Sequence, residues 1–273
     1  MSHRFLEVDV FATGLLSGNP LAVVADAHDL SDDEMRRIAA WTNFSETTFL
    51  LPPTDPEADY RVRIFTPSTE YPFAGHPTVG SARAFLHLGG VPRRDGVLVQ
   101  ECGAGLVPVR VEDDRLAFAT PPRTRSGPLS DADVARITDV LGTEPEQVVA
   151  HEWGVNGPEW AMVQLPDADA VRALRPATRP GMRIGVVGLE QPGQQAAYEV
   201  RAFGDGYEDP VTGSLNGAVA QWLRGRRLVP GCYVAHQGSQ MGRAGRIHVT
   251  DDGTDIWIGG LANVMVDGQL RLG

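Results

Sequence analysis

One acidic residue, Glu46, lies where a proton-transfer group could be held away from water. It falls between a predicted helix and a predicted strand, and its neighbours Phe44, Ser45 and Thr47 are apolar or small. A glutamate at such a junction is usually a surface carboxylate. In a water-poor site, however, its pKa rises toward the range that suits general acid or base catalysis. Glu46 is therefore the first candidate for a catalytic residue.

Two further groups of polar residues follow glycines that begin predicted helices. Gly75 precedes His76, and Gly213 precedes Ser214. The free N–H groups at a helix N-terminus bind anions such as carboxylates, and the helix dipole lowers the pKa of a histidine there, which favours the neutral ring. His76 could also simply cap its helix. Asp209 precedes a proline, so its backbone is extended, and it is either a plain helix-entry carboxylate or a partner for a substrate amine or hydroxyl.

These two loop-to-helix segments are related by an internal repeat with an offset of 138 residues. Residues 62–80 read VRIFTPSTEYPFAGHPTVG and residues 200–218 read VRAFGDGYEDPVTGSLNGA, and six aligned positions are identical without a gap. Six identities alone could arise by chance. Each half also has the same order of strands, one loop-to-helix segment and further strands, which supports duplication more strongly.

The elements that must position these residues follow from hydrophobic periodicity and turn signals. Ser31 and Glu34 form a capping-box pattern ahead of a helix that ends near Trp41. Helices are also predicted from Gly75 to about Leu88 and from the second repeat glycine onward, and at 131–141 and 168–174. Strands are predicted at 5–11, 21–24, 46–51, 61–65, 97–102, 106–112, 116–119, 148–153, 160–165, 184–189, 197–203, 233–237, 246–250, 256–259 and 263–266.

Residues 120–128, TPPRTRSGP, are the best candidate for a linker because they are rich in Pro and Arg and have no periodicity. We therefore predict two domains, 1–122 and 128–273, with the possibility that the last strand returns to the first domain. Arg123 and Arg125 in this segment are expected to be solvated.

Composition indicates an ordinary globular protein with a sizeable core, since 42% of the 273 residues are hydrophobic and 22% are charged. The net charge of −11 argues against nucleic acid as a partner. No run of 18 apolar residues is present, and the N-terminus has no long apolar signal segment. We expect no membrane association and a reducing cytoplasmic location.

Motifs for metals and nucleotide cofactors are missing from the sequence. The seven histidines are scattered, and neither His-x-x-x-His nor Cys-x-x-Cys occurs, so no metal site is predicted. The glycines at 103 and 105 precede a predicted strand rather than a helix, which argues against a dinucleotide fingerprint. The stretch Gly213–Gly217 does not match the Gly-x-Ser-x-Gly pattern of hydrolases. We expect no cofactor.

Five stretches carry a resemblance to a known family. These are FAGHP at 73–77, EDPVTGS at 208–214, FATGLLSGNPLAVV near the start, NFSETTF at 43–49 and HQGSQMGR at 236–243. Together they resemble the phenazine-biosynthesis isomerase family, called PhzF-like, of the diaminopimelate-epimerase-like superfamily. The matching stretches occur in the expected order over essentially the whole chain, so their combined specificity is high.

The resemblance implies an α+β fold of two pseudo-symmetric domains, each a β-barrel-like sheet wrapped around one central helix. It places the cleft between the domains, with the two helix N-termini facing it, and it implies a homodimer and a role in phenazine-type antibiotic biosynthesis. It also implies that Glu46 is the single catalytic acid/base. His76, Asp209 and Ser214 match the substrate site.

The sequence departs from the amino-acid epimerases and racemases of this superfamily. Those enzymes carry a catalytic cysteine just before the glycine of each signature loop, where this chain has Ala74 and Thr212. Two-base epimerisation by cysteines is therefore not available. Cys102 and Cys232 lie elsewhere and are expected to be small buried residues.

The resulting hypothesis is a cofactor-independent isomerase that moves a proton between carbons of a small cyclic amino or hydroxy carboxylate. The resemblance implies a substrate like trans-2,3-dihydro-3-hydroxyanthranilate, with helix-end amides at the two repeat glycines holding the carboxylate. Racemisation or dehydration of another small acid is an alternative, and so is a non-catalytic carboxylate-binding protein. Substrate choice is expected to vary in residues 179–197.

Overall fold

The computed structural model describes residues 2–176, 182–204 and 206–272. Within these residues the strands are β1 Ser2–Ala12, β2 Asn19–Val24, β3 Thr47–Leu51, β4 Tyr60–Phe65, β5 Glu70–Tyr71, β6 Val97–Cys102, β7 Gly105–Val111, β8 Arg115–Ala119, β9 Ala150–Val155, β10 Glu159–Gln164, β11 Ile184–Leu189, β12 Tyr198–Phe203, β13 Glu208–Asp209, β14 Cys232–Gln237, β15 Gly245–Asp251 and β16 Ile256–Arg271. The α-helices are α1 Asp32–Thr42, α2 Gly75–His87, α3 Asp131–Leu141, α4 Ala168–Ala173 and α5 Gly213–Gly225. Short 3-10 turns lie at Ala27–Asp29, Pro145–Gln147 and Ser239–Met241.

The chain divides into two compact units. Unit 1 comprises the chain up to Ala119 together with the chain from Gly259 onward, and unit 2 runs from Thr120 to Ile258. The domains predicted from the sequence were 1–122 and 128–273, with a possible return of the last strand. Residues 179–181 of the segment expected to govern substrate choice lie outside the described residues, and β11 occupies part of the remainder.

Unit 1 is a closed eight-stranded barrel around α2. The strand order is β1-β2-β3-β4-β6-β7-β8-β16, and antiparallel pairing of β16 with β1 closes it. Helix α2 contacts β1, β2, β3, β4, β6, β7 and β8. Its residues 75–82 are all buried, as expected for a helix with small or apolar residues on every side.

Helix α1 covers one part of this unit through an apolar face. The predicted capping box is confirmed, since Ser31 Oγ accepts from the N–H of Glu34 and the Glu34 carboxylate accepts from the N–H of Ser31. Behind the cap, Met35 and Ile38 are buried in a cluster with the barrel. The capping box therefore begins the helix at the position that turns its apolar face inward.

Unit 2 also packs its sheet against a central helix, α5. Strands β15, β14, β12, β11, β10 and β9 form its sheet in that order. Helix α5 packs against β9, β10 and β15, and its residues 213–220 are all buried. Helix α3 places Ile137 and Leu141 in a second apolar cluster with Val163, Val186 and Phe203.

The internal repeat predicted from the sequence is present in three dimensions. Strand β4 pairs with β5 in unit 1, and β12 pairs with β13 in unit 2. The elements β12, β13 and α5 follow β4, β5 and α2 at the same offset in the sequence as the repeat. Arg63 forms a two-pronged hydrogen bond with Glu70, and Arg201 forms the same bond with Glu208. The expected fold of two related units, each a sheet around a central helix, is therefore confirmed.

Two predictions about local structure are wrong. The strands predicted at 256–259 and 263–266 are one continuous strand, β16.

Arg123 is not solvated, since its side chain is 19% exposed and forms an ion pair with Glu152 on β9. Arg125 is about half exposed, but its guanidinium lies 3.8 Å from the centre of the Trp153 ring. The segment predicted as a linker therefore packs along β9 inside unit 2.

No helix among the described residues is long and apolar enough to cross a membrane.

The two repeated Arg–Glu pairs provide a matched stability test. Arg201 is buried and also donates to the carbonyls of Val171 and Leu174 at the end of α4, whereas the side chain of Arg63 is 25% exposed. We predict that Arg201→Ala lowers the free energy of unfolding by roughly 3 kcal/mol, because it leaves a partly buried carboxylate and two carbonyls without their donor. Arg63→Ala should cost at most about 1 kcal/mol. Urea titrations of both variants would measure the difference, and equal losses would contradict it.

Candidate functional site

Glu46 is held in a short, fixed connection between α1 and β3. Asn43 ends α1 in the left-handed conformation, with φ of 56°. The hydroxyls of Thr42 and Thr47 then bond each other across the connection at 2.8 Å. The Glu46 side chain is 13% exposed. The structure thus places this candidate as a largely buried carboxylate on a connection that is tied at both ends.

His76 lies in the first turn of α2, next to Glu46. Its side chain is 3% exposed, and its Nδ1 lies 3.4 Å from Glu46 Oε2. Burial lowers the pKa of His76 to about 3, against the opposing effect of a hydrogen bond with the Pro20 backbone. The lowered pKa predicted from the sequence is confirmed, although burial rather than the helix dipole is the main cause. The ring is therefore neutral, and its contact with Glu46 is not an ion pair.

The second ring nitrogen of His76 has no hydrogen-bond partner in the described part of the chain. Nε2 is buried and makes no hydrogen bond to any described residue. Nε2 is thus a buried polar atom that a polar group of a ligand could pair with.

Asn19, which lies within the recognised stretch FATGLLSGNPLAVV, is beside this pair. Its Nδ2 is 3.5 Å from His76 Nδ1. The turn ahead of it is fixed by the buried Asp9, whose carboxylate accepts from the N–H groups of Ser17 and Gly18. A Cβ on Gly18 would lie 2.1 Å from the carbonyl oxygen of Val10, so only glycine fits. The only signal for Asn19 was its place within the recognised stretch SGNP.

The second group of candidates lies in unit 2. Asp209 ends β13, and its Oδ2 accepts a 2.5 Å hydrogen bond from Thr212 Oγ1. Helix α5 begins at Gly213, directly after Thr212. Ser214 is 4% exposed. Its Oγ accepts from Trp160 Nε1 at 3.1 Å, and its carbonyl accepts from Asn156 Nδ2 at 2.9 Å.

Each unit thus carries its own group of candidates. Unit 1 brings Glu46 and His76 together at Gly75, where α2 begins, and unit 2 brings Asp209 close to Gly213 and Ser214. The sequence did not identify Asn156 and Trp160, because their roles depend on contacts between distant parts of the chain. The catalytic and binding roles of the six predicted residues stay predictions. No cluster of His, Cys, Asp or Glu among the described residues could hold a metal ion.

The cysteines do not match the expectation of small buried residues. Cys232 is exposed and Cys102 is partly exposed. Burial nevertheless raises the pKa of the Cys102 thiol, so the thiol is not activated as a nucleophile. The positions just before the two repeat glycines are Ala74 and Thr212, the residues that immediately precede α2 and α5.

Comparison with known proteins decides the family. The family model described as phenazine biosynthesis-like protein, PhzC-PhzF, matches residues 8–268. The chain belongs to this PhzF family. The trans-2,3-dihydro-3-hydroxyanthranilate isomerase of Pseudomonas aeruginosa is 33% identical over 92% of this chain and 91% of its own length. A Schizosaccharomyces pombe protein named antisense-enhancing sequence 1 is 34% identical over 98% of each chain.

A solved structure agrees with the assignment of the fold. The PhzF-family protein of Bacillus anthracis superposes with a TM-score of 0.83 at 24% identity, over 100% of both chains. The PhzF-like and epimerase-like fold expected from the sequence is confirmed. The enzyme class, isomerase, is confirmed as well.

The buried neutral His76 makes folding stability depend on pH. Above about pH 6.5 the ring is neutral whether the chain is folded or unfolded. As the pH falls toward about 3, the unfolded chain takes up a proton that folded His76 does not, so stability is lost. We predict that the free energy of unfolding falls more steeply in wild type than in His76→Gln between pH 6 and pH 4. The difference in slope should be up to about 1.4 kcal/mol per pH unit.

Urea titrations at several pH values would measure this difference, and NMR of ¹⁵N-histidine-labelled protein would follow the ring directly. The signal that disappears in His76→Gln should remain that of a neutral ring at pH 5. A His76 ring that titrates near its ordinary pKa would contradict the prediction.

The cysteines are expected to be dispensable for the reaction. Cys102→Ser/Cys232→Ser should keep turnover within a few-fold of wild type, because neither thiol lies beside a repeat glycine. Steady-state kinetics of the folded double variant would check this. A thousandfold fall would show that a thiol takes part.

Proposed function

We propose that this chain is a cofactor-independent isomerase that moves a proton between two carbons of a small cyclic carboxylate bearing amino or hydroxyl groups. Trans-2,3-dihydro-3-hydroxyanthranilate, the compound named for the Pseudomonas aeruginosa relative, is the model substrate. The observation that carries this proposal is the largely buried Glu46 carboxylate beside the neutral ring of His76.

Glu46 acts as the single acid and base of the proposed reaction. Its carboxylate removes a proton from one carbon, and the electron pair left behind is delocalised through the conjugated system of the substrate. The carboxylic acid thus formed returns the proton to a second carbon, so the enzyme ends unchanged. Shielding by the surrounding protein keeps the captured proton from exchanging rapidly with water, and the fixed connection holds Glu46 in one place.

The remaining candidates bind and orient the substrate. His76 Nε2 forms a hydrogen bond with a polar group of the substrate, which supplies the partner that this buried atom otherwise lacks among the described residues. Asp209 pairs with a second such group. The free N–H groups at Gly75–His76 and those at Gly213–Ser214 are the proposed anion-binding groups, supported by the absence of an acidic residue in the first turn of either helix.

Replacing the carboxylate of Glu46 tests the proposal. Glu46→Gln keeps the shape but cannot take up the proton, so turnover of trans-2,3-dihydro-3-hydroxyanthranilate should fall by about 10²–10⁴-fold while binding is retained. Kinetics and calorimetric titration would measure the two effects separately. Glu57→Gln is the matched control, since its side chain is 64% exposed in the same unit, and it should behave as wild type.

An isotope experiment separates this reaction from its rivals. In D₂O, wild type should form an isomerised product with incomplete deuterium at the newly protonated carbon. Loss of water or inversion without a double-bond shift would indicate a dehydratase or racemase. A ligand that binds and is recovered unexchanged would indicate a binding protein. Turnover near wild type in Glu46→Gln would move the proton transfer to another residue.

A further inference from the structure

A buried amide, Gln237, organises the loop that enters α5. It is 1% exposed and uses all four of its hydrogen-bonding positions. Its Oε1 accepts from Thr212 N and from Asn216 Nδ2, both at 2.9 Å. Its Nε2 donates to the Asp209 carbonyl at 3.0 Å and to Thr212 Oγ1 at 2.8 Å. A backbone N–H can only donate, so the orientation of the amide is fixed by its partners.

Unit 1 contains a corresponding network, which serves as an internal comparison. Tyr60 OH donates to Gln100 Oε1 at 3.2 Å, and Gln100 Nε2 donates to Thr78 Oγ1 at 2.9 Å. Thr78 Oγ1 then donates to the Ala74 carbonyl at 2.9 Å. In unit 2 the tyrosine is Tyr198, whose OH donates to Asn216 Oδ1 at 3.2 Å. Both networks therefore tie the first turn of the central helix to two parallel strands.

The two networks differ at the residue just before the helix. In unit 1 this residue is Ala74, and the network ends on its carbonyl. In unit 2 it is Thr212, whose hydroxyl accepts from Gln237 Nε2, an N–H₂ group that cannot accept in return. The single proton of Thr212 is then directed to Asp209 Oδ2, at 2.5 Å. The hydroxyl makes no cap bond to α5, so helix capping does not explain it.

We propose that Thr212, oriented by Gln237, is a positioning residue that fixes the rotamer of the Asp209 carboxylate and favours its ionised form. This inference rests on the proposed function, in which Asp209 touches the substrate. In unit 1 the glutamine Nε2 donates to Thr78 Oγ1 rather than to the residue before the helix, so alanine at position 74 leaves that network complete. In unit 2 the Thr212 hydroxyl accepts from Gln237 and directs its own proton to Asp209.

We call the contacts from Gln237 to Thr212 and from Thr212 to Asp209 the relay. Three substitutions at Thr212 test the relay in the full chain. Thr212→Val and Thr212→Ala remove the hydroxyl, and Thr212→Ser keeps it. A hydrogen bond from a neutral donor to an ionised carboxylate is strong, and its loss disfavours the ionised form. We expect the valine and alanine variants to lose about tenfold in kcat/KM and to move the acidic limb of its pH profile up by about one unit. Serine should restore both.

Tyr198→Phe is the matched control, because it removes a hydrogen bond from the far end of the same network without touching Thr212 or Asp209. It should lower thermal stability but leave the pH profile in place. A profile that moves equally in Tyr198→Phe would show that loosening of the network, rather than the Thr212 hydroxyl, is responsible.

Asp209→Asn separates the relay from the proposed function. If Asp209→Asn loses turnover and Thr212→Val adds no further loss to it, the relay acts through Asp209. If Asp209→Asn loses turnover while Thr212→Val keeps the wild-type profile, the relay is wrong. If Asp209→Asn keeps turnover, the substrate role of Asp209 fails instead. A ¹³C NMR titration of the Asp209 carboxyl then still tests the relay. The relay requires the midpoint of this titration to lie at higher pH in Thr212→Val than in wild type.

Discussion

The burial of one helix inside each unit limits where polar chemistry can be placed. Along α2 and α5 the first two turns are buried, so their sides are available only for packing. Inside a helix the backbone groups are paired, but the N–H groups of the first turn are not. A binding group must therefore lie in the first turn or in the loop that leads into it. His76 and Ser214 occupy that turn, and Asp209 lies in the loop.

The two copies of this arrangement keep their scaffold and differ where function is proposed. Both retain the Arg–Glu pair that joins the short hairpin, and both contain a tyrosine and a glutamine in a buried network that joins helix to sheet. A buried polar network destabilises the fold when it is only partly satisfied, so each copy completes its network with its own partner, Thr78 in unit 1 and Asn216 in unit 2. The two copies also differ at the first turn of the helix and just before it. Position 76 is a histidine and its equivalent 214 a serine, while 74 is an alanine and 212 a threonine.

Local signals in the sequence predicted most elements, and long-range contacts account for the errors. Strand β6 and helix α3 have the predicted bounds because periodicity and caps lie within each segment. The break between strands predicted after Gly259 is wrong. Gly259 is needed for packing instead, because a Cβ at this position would lie 2.7 Å from the Cβ of Ala117. That glycine permits close approach of β8, and a glycine inside a strand often marks such a site. Arg123 finds Glu152 only after folding, and no pattern in the sequence joins them.

Candidate residues were predictable to the extent that their roles are local. His76 was identified from its helix start, and Glu46 chiefly from the family resemblance. The importance of Gln237 depends on partners at 209, 212 and 216, which only the fold brings together. Asn19 reaches His76 across 57 residues of chain. The recognised stretch gives the position of Asn19 in the chain but does not identify His76 as its neighbour.

The charge state of His76 constrains any proton path through Glu46. With a pKa of about 3, the imidazole does not carry a second proton at neutral pH, so it cannot serve there as a cationic acid. In the proposed reaction, a proton taken from the substrate therefore stays on the Glu46 carboxyl until it is returned. The neutral ring has its Nδ1 at 3.4 Å from Glu46 Oε2, and its Nε2 has no hydrogen-bond partner among the described residues. A substrate hydroxyl or amine bound at Nε2 would be fixed relative to Glu46 by one rigid ring. In the proposed reaction, His76 thus orients the substrate while Glu46 alone moves the proton.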